Sequence, residues 1–409
     1  MRAALNVSCL RTLPTHPHGR SQPMSKILPL PPKNAAASAS SLNSVAEILA
    51  DLRAGRMVVM MDDEDRENEG DLIMAAEHAN AEAVAFMIRH TSGIICVPME
   101  DERLERLELP QMVPLNSESQ RTAFAVSVDL RAGTTTGVSS ADRAATIRAL
   151  ADSASRPEDF ARPGHIFPLR SRRGGVLVRA GHTEAAVDLC RLAGLGPVGV
   201  LCEVMNDDGS MARRPELEEF ARRHQLKIGT IADLIRHRLR TERTVERISE
   251  QSVQTELGEF RLYAYQDCVS LEVHVALAHG RLDGPETPLV RVHITDTLRD
   301  LFGVQSAPRA WSLRAAMQRI TEAGNGVVVV LRHQESPREL ADAVRTFAAA
   351  APAATEAGGE RAVLRTFGVG AQILKDLGVK RMRVLSAPKQ MHGISAFGLE
   401  VEGYVGEEG

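Results

Sequence analysis

Seven acids and one arginine fall among the ten residues 62–71, DDEDRENEGD, directly behind the apolar run Met57–Met61. An acidic run is in most proteins a solvated loop. Here the run follows the carboxyl end of an apolar strand, where open α/β sheets place their ligands, and Gly70 lets the backbone turn sharply. Carboxylates held this close repel one another, and a hard divalent cation such as Mg²⁺ relieves that repulsion. Arg66 in the same loop suits a phosphate or a polarised hydroxyl. A second cluster, RPGHIFPLR followed by GGVLVRAGHTEAAVDL, predicts His165, Arg179, His182 and Glu184 around one strand-to-helix turn. Gly181 permits close approach there, Thr183 caps the helix, and Arg179 offers a fork to phosphate oxygens. The plainer alternative has His182 capping a helix and His165 filling a turn. In GVLCEVMNDDGSMAR, Glu203 stands inside an apolar strand, where a carboxylate is costly unless paired, hydrogen-bonded or protonated. It is either a core ion pair or a proton-transfer group with a raised pKa. In TTTGVSSADR, the hydroxyls of Thr136, Ser139 and Ser140 either bind phosphate or cap the following helix.

These residues need a scaffold, and the apolar pattern supplies one. Val45, Ile48, Leu49 and Leu52 recur at helical spacing between a Ser44 cap and Gly55, and a strand over 56–61 follows. Apolar runs GIICVP, AFAVSV, GVLVRA and VGVLCEV read as strands, alternating with helical patterns near 81–90, 141–152, 183–193 and 215–225 and ending at IADLIRHRLR. This alternation predicts an α/β or α+β domain over 44–240. Residues 241–254 are polar and read as a linker or connecting helix, and a second α/β unit spans 255–405, with strands at GEFRLYAY, LVRVHI, GVVVVLR and RMRVLS. The first 43 residues hold no acid and are rich in Pro, Ser and Ala; they read as disordered, or as an extension ahead of a start at Met24.

Composition narrows the function. The 409 residues carry a formal net charge of -4, without the basic footprint of a nucleic-acid binder. No stretch approaches the ~20 apolar residues of a membrane span. Cys9, Cys96, Cys190, Cys202 and Cys268 are scattered without a CxxC pair, as reduced thiols of a cytoplasmic protein are.

DDEDRENEGDLIMAAE, RHTSGIICVP, TTTGVSSADR, RPGHIFPLR, RAGHTEAAVDL and GVLCEVMNDDGSMAR, in this order over about residues 44–238, together resemble the 3,4-dihydroxy-2-butanone 4-phosphate synthases of riboflavin biosynthesis. The resemblance implies an α+β fold assembled as a homodimer with sites near the interface. It implies a lyase that converts D-ribulose 5-phosphate to L-3,4-dihydroxy-2-butanone 4-phosphate and formate with Mg²⁺ or Mn²⁺, two ions per site, and no organic cofactor. Carried onto this chain, Glu67 and His182 hold the metal pair and Arg66 and Asp71 contact the sugar. Glu67, His182 and Glu203 also count among the substrate contacts, while Thr136, Arg179, Ala180, Gly181 and Thr183 surround the phosphate. His165 and Glu203 transfer protons. One departure is SESQRTAF, which has Arg121 where the family carries glycine in a loop near the substrate.

LRTFGVGAQILKDLGVKRMRVLS resembles the last segment of GTP cyclohydrolase II, an enzyme often fused to this synthase. That enzyme needs three zinc cysteines, yet VRVHITDTLRDLFGVQSAPRAWSL contains none, and HQESPRELADAV replaces the expected glycine- and arginine-rich loop. The reading is therefore a synthase with a non-catalytic second domain and no zinc; the alternative is a bifunctional enzyme. His274, His279 and His293 are expected to be ordinary strand or turn residues.

Overall fold

The computed structural model describes residues 27–28, 42–304, 311–332, 335, 337–346, 359–387 and 394–406. Strand β1 (Ile27–Leu28) comes first in the chain and is discussed with the second sheet. The first unit then runs α1 (Val45–Arg53), β2 (Val58–Met61), β3 (Gly70–Ala75), α2 (Ala81–His90), β4 (Cys96–Met99), α3 (Asp101–Arg106), β5 (Val128–Leu130), α4 (Ser140–Ala151), β6 (Phe160–Arg170), α5 (His182–Leu192), β7 (Gly199–Glu203), α6 (Arg214–His224), β8 (Lys227–Thr230) and α7 (Ile231–Thr241). Its mixed sheet has the order β5-β6-β4-β7-β3-β2-β8.

Alternate residues of the central strands enter two separate cores, because successive side chains of a strand point to opposite faces. Val59, Met61, Leu72, Met74, Val200 and Cys202 pack with α2, α4 and α6 through Val84, Met87, Ile147, Leu150 and Leu217. Val58, Met60, Ile73 and Leu201 pack with α1, α5 and α7 through Ile48, Leu52, Ala185, Leu189 and Leu234. Burial on both faces explains why these strands read as unbroken apolar runs. Helix α1 starts as expected: the Ser44 hydroxyl accepts from the Glu47 N–H while Glu47 accepts from the Ser44 N–H, a complete capping box.

The second unit continues with β9 (Val245–Thr255), β10 (Gly258–Asp267), β11 (Val273–His279), β12 (Leu289–Ile294), α8 (Thr297–Phe302), α9 (Leu313–Ala323), β13 (Gly326–Leu331), α10 (Pro337–Thr346), α11 (Gly359–Asp376), β14 (Arg381–Leu385) and β15 (Glu400–Val405). Its sheet order is β1-β15-β14-β12-β13-β11-β10-β9, with α11 against one face and α9 against the other.

Three expectations are corrected. Residues 245–255 form β9 rather than a linker; it is an edge strand paired with β10 and mostly exposed, so it has no apolar alternation to announce it. GVLVRA is not a strand: Gly174 and Gly175 take φ of +94° and +62°, and Gly175–Leu177 coil into a 3₁₀ turn. In AFAVSV only Val128 belongs to a strand, Phe124 and Ala125 making isolated bridges. Within the 43-residue segment expected to be unstructured, Ile27–Leu28 pairs antiparallel with Tyr404 and Val405 of β15. Met1 and Met24 lie outside the described residues.

A buried ion network joins the layers. Arg238 of α7, 3% exposed, donates to Asp188 (2.7 Å), the Gly174 carbonyl (2.8 Å) and both Glu242 oxygens. Asp188 also accepts from the Val176 N–H at 2.8 Å, and a Cβ on Gly175 would lie 2.2 Å from its oxygens. Replacing Arg238 by Ala strands a buried carboxylate, whose pKa burial already pushes up. Arg238→Ala is expected to cost about 3–5 kcal/mol, read as an earlier urea unfolding transition of the synthase-like unit, with most of the loss recovered in an Arg238→Met/Asp188→Leu double variant.

Candidate active site

The acidic run leaves the sheet at the end of β2 and returns at β3. Asp62 turns inward and organises it: its carboxylate, with a fully covered side chain, accepts from the Glu67 N–H (3.1 Å), the Glu69 N–H (2.8 Å) and Arg66 Nη1 (2.8 Å). Arg213, ahead of α6, clamps the other side by donating to the Glu67 carbonyl at 2.6 Å and to the Asn68 carbonyl. Part of the acidic charge is thus spent on folding the loop. What the fold leaves facing inward is Glu67, 2.6 Å from Arg66 Nη1 and 3.8 Å from His182 Nδ1.

His182 opens α5 and is buried. Its Nε2 donates to the Met60 carbonyl at 3.2 Å, which turns Nδ1 toward Glu67 and toward Asp71 Oδ1 at 3.7 Å. Asp71, 2% exposed, has an Oδ1 without any hydrogen-bond partner. It stands opposite Glu203 in the β3–β7 ladder, and Glu203 Oε2 accepts the Ser92 hydroxyl at 2.6 Å. Burial, then the neighbouring Glu203, Glu67 and Glu69, outweigh His182 and push Asp71 up to about 7. Burial alone would lower His182, but Asp71, Glu67 and Asp62 raise it to about 9. Glu67 is held below the usual range: burial opposes its charge, and His182 and Arg66 prevail.

Ligand atoms of Asp62, Glu67 and His182 lie within 4.8 Å of one another. Asp62 is already committed to loop amides, so Glu67 and His182 have the free capacity, with the orphaned Asp71 oxygen beside them. Carboxylates and an imidazole with its distal N–H fixed on a carbonyl fit a hard divalent cation.

Next to this cluster two guanidinium groups converge on the start of α5. The N-cap is Gly181, which leaves the helix start without a side-chain cap, and a Cβ there would lie 2.4 Å from Arg179 Nη1 and 3.1 Å from Arg66 Nη2. Positive charge at a helix N-terminus is a site for an anion. Arg179 is aimed by Glu184 Oε2 (2.8 Å), the Thr122 hydroxyl (3.1 Å) and the Gln120 carbonyl (3.3 Å). Between those two loop contacts lies Arg121, at φ +53°. The left-handed conformation that makes glycine the economical residue is retained with an arginine in it. Glu118 holds the loop by accepting from the Gln120 and Thr122 N–H groups. Thr183 is buried beside His182, and Ala180 packs against the α5-side core.

His165 is elsewhere. It lies on β6, half exposed, with Nδ1 2.7 Å from Asp129 Oδ2 and its N–H donating to Asp129 Oδ1. Strands β4 and β7 separate β6 from β3, so His165 and Asp71 are three strand spacings apart, about 14 Å. The expected single turn therefore contains Arg179, His182 and Glu184 but not His165. Thr136 groups with His165: it is exposed in a loop whose Gly137, at φ +84°, sits so close to Asp129 that a Cβ would lie 2.1 Å from Oδ2. Ser139 caps α4, as the plainer reading of that motif has it. Asp129, Ser92, Arg213 and Thr122 are partners that sequence reasoning missed. Ser92 lies in the quoted RHTSGIICVP, Arg213 ends GVLCEVMNDDGSMAR and Thr122 follows Arg121 in SESQRTAF, while Asp129 lies in none of the quoted motifs.

His274, His279 and His293 are strand residues with partners inside the second unit: His279 with the Glu259 carbonyl, His293 with Asp300, and His274 with the Arg332 N–H. Cys268 is exposed at the β10–β11 turn.

Residues 46–237 match the family model of 3,4-dihydroxy-2-butanone 4-phosphate synthase, and residues 246–406 match that of GTP cyclohydrolase II. A 3,4-dihydroxy-2-butanone 4-phosphate synthase of Pseudomonas aeruginosa is 54% identical over 368 residues, 90% of this chain and 100% of that protein. The monofunctional riboflavin biosynthesis protein RIBA 2, chloroplastic, of Arabidopsis thaliana is 50% identical over 366 residues, 88% of this chain and 76% of that protein. The crystal structure of RibBX, a two-domain 3,4-dihydroxy-2-butanone 4-phosphate synthase from A. baumannii, superposes with a TM-score of 0.76 at 42% identity, covering 89% of this chain and 100% of that one. The chain belongs to the 3,4-dihydroxy-2-butanone 4-phosphate synthase family and carries a GTP cyclohydrolase II-like unit behind the synthase domain.

Proposed function

We propose that the synthase domain, residues 44–240, converts D-ribulose 5-phosphate to L-3,4-dihydroxy-2-butanone 4-phosphate and formate. The observation that carries the reading is the buried, unpartnered Asp71 carboxylate oxygen beside His182 and Glu67, adjoining an arginine-flanked helix start. Arg179, Gly181 and the first amides of α5 take the phosphate, with Ala180 and Thr183 at its side, while Arg66 and Asp71 receive the sugar hydroxyls. A bound Mg²⁺ or Mn²⁺ pair, held by Glu67 and His182, supplies Lewis-acid polarisation of the ketone and its neighbouring hydroxyl. Glu203 is placed to move protons: one carboxylate oxygen accepts the Ser92 hydroxyl at 2.6 Å, which fixes the orientation of the other. The walls of β3 and β7 and the loop from Asn116 to Thr122 limit water around the reacting carbons.

His165, about three strands away, does not reach Asp71 within one chain. The imidazole–Asp129 pair is built as a proton-transfer unit whose substrate lies outside its own protomer. Exposed apolar side chains on neighbouring segments, Ile94 (50%), Met112 (44%), Val113 (48%), Leu115 (83%) and Val138 (45%), support a homodimer that buries them and brings one chain's His165 and Thr136 to its partner's metal cluster. The second domain, 245–405, is non-catalytic in this reading, since residues 290–313 contain no cysteine to bind zinc.

Glu67→Gln keeps the shape of the side chain but removes a charged ligand; formate release from ribulose 5-phosphate is expected to fall by about two orders of magnitude or more with weakened Mg²⁺ affinity, and undiminished activity would sink the metal assignment. Since His182 is raised to about 9 and Asp71 to about 7, His182 carries a proton at neutrality and Asp71 a fraction of one, and the cation must displace both. Mg²⁺ binding should therefore release protons, and its affinity, followed by calorimetry in buffers of different ionisation enthalpy, should climb as pH rises from 6 to 9. The shared site is checked by mixing two inactive variants, His165→Ala and Glu67→Gln, under conditions of subunit exchange. Recovery of up to about a quarter of wild-type activity is expected, because half the dimers are mixed and each mixed dimer assembles one intact site.

A further inference from the structure

The second domain meets the synthase domain along α7 and beside the stretch Arg172–Gly181, which carries the anion-facing Arg179. The turn Asp267–Glu272 between β10 and β11 places Val269 in the α5-side core of the synthase domain, where its Cγ1 fills the space beside Gly174: a Cβ on that glycine would lie 2.8 Å away. The turn is rigid, because buried Asp267 accepts from the Val269 and Ser270 N–H groups, and Cys268 donates its N–H to the Thr244 carbonyl.

A second contact bears on the same segment indirectly, through the end of α7. Gln372 of α11 donates through Nε2 to the carbonyls of Leu239 (2.7 Å) and Glu242 (3.0 Å), and accepts through Oε1 from the Thr244 N–H (2.8 Å). One amide thus fixes the end of α7, one residue from Arg238, against α11, where Gly368 leaves room for Leu239 at what would be 2.7 Å from a Cβ. Arg238 in turn holds the Gly174 carbonyl, and its partner Asp188 holds the Val176 N–H. The Gly175 carbonyl accepts from the Val178 and Arg179 N–H groups. The backbone that carries Arg179 is therefore suspended from a glycine turn gripped by the second domain directly, through Val269, and indirectly, through Gln372 and Arg238.

We infer that the second domain is a positioning module for the synthase site: Val269 and Gln372 hold the Gly174–Gly175 turn so that Arg179 faces the anionic group of the substrate. The inference rests on the assignment of Arg179 to the phosphate. Val269 and Gln372 are positioning residues, and their loss should act on substrate binding ahead of turnover, since the proton-transfer groups on β6 and β7 lie on other elements.

The test uses the full-length chain with its divalent cation. Val269→Ser and Gln372→Ala are each expected to raise KM for ribulose 5-phosphate by on the order of tenfold with kcat within about twofold of wild type, and Val269→Ile should restore KM. Hydrogen exchange at the 174–181 amides, followed by mass spectrometry, reads the coupling without substrate, and it should quicken in Val269→Ser. Unchanged exchange together with unchanged KM in both variants would overturn the inference. Faster exchange with an Arg179→Ala enzyme of normal KM would uphold the mechanical coupling and overturn the phosphate assignment instead.

Discussion

The interaction on which the site depends is the burial of Asp71 against His182. A carboxylate with almost no exposure would lose its charge without a cationic partner, and an imidazole in the same place would lose its proton. Together Asp71 raises the proton affinity of His182 while His182 lowers that of Asp71, each partly offsetting the other's burial, and the pair persists only because β3 and α5 are fixed relative to each other by the cores on both sheet faces. Glu67 adds negative charge to one side and Arg66 returns positive charge to the other. The outcome is an electrostatic arrangement with an excess of negative oxygens in a confined space, which a divalent cation completes better than protons do.

The acidic run divides its labour accordingly. Asp62 and Asp63 accept backbone amides of their own loop, as turn residues do, and Glu67 and Asp71 present toward His182 oxygens that those amides do not occupy. Like charges that would repel in a flexible coil are separated by the turn they themselves stabilise, with Arg66 and Arg213 stitched between them. The loop opposite, around Arg121, works by the same means: Glu118 collects amide N–H groups, and Arg179 closes the loop onto the site.

Much of this was legible in the sequence because the elements involved are strongly periodic or strongly apolar. Helices α2, α4, α5 and α6 fall within a residue of their expected spans, since each buries a stripe against a sheet covered on both faces. Strand β9 escapes sequence reading because an edge strand with one partner and little burial carries no alternation. The Gly174–Leu177 turn escapes because its valine and leucine are buried by tertiary packing, and burial rather than strand pairing is what their apolarity reports. The site residues follow the same division. Glu67, His182 and Arg179 sit in short, distinctive motifs, whereas Asp129, Ser92 and Arg213 act through partners 36, 111 and 146 positions away. No local spacing encodes such pairs.

The contact between α11 and α7 bears on how this chain can change over generations. On the proposal that the second domain carries no chemistry of its own, most of its sheet is constrained by folding alone, and its far edge can drift toward any composition that keeps it folded. At Gly368, a single methylene would meet Leu239, and at Gln372 only a side chain with one donor and one acceptor end can satisfy both carbonyls and the Thr244 amide. Outside the cores that keep it folded, variation should therefore be tolerated except along the seam, so that the surface residues least free to vary in the second domain are those that serve the first.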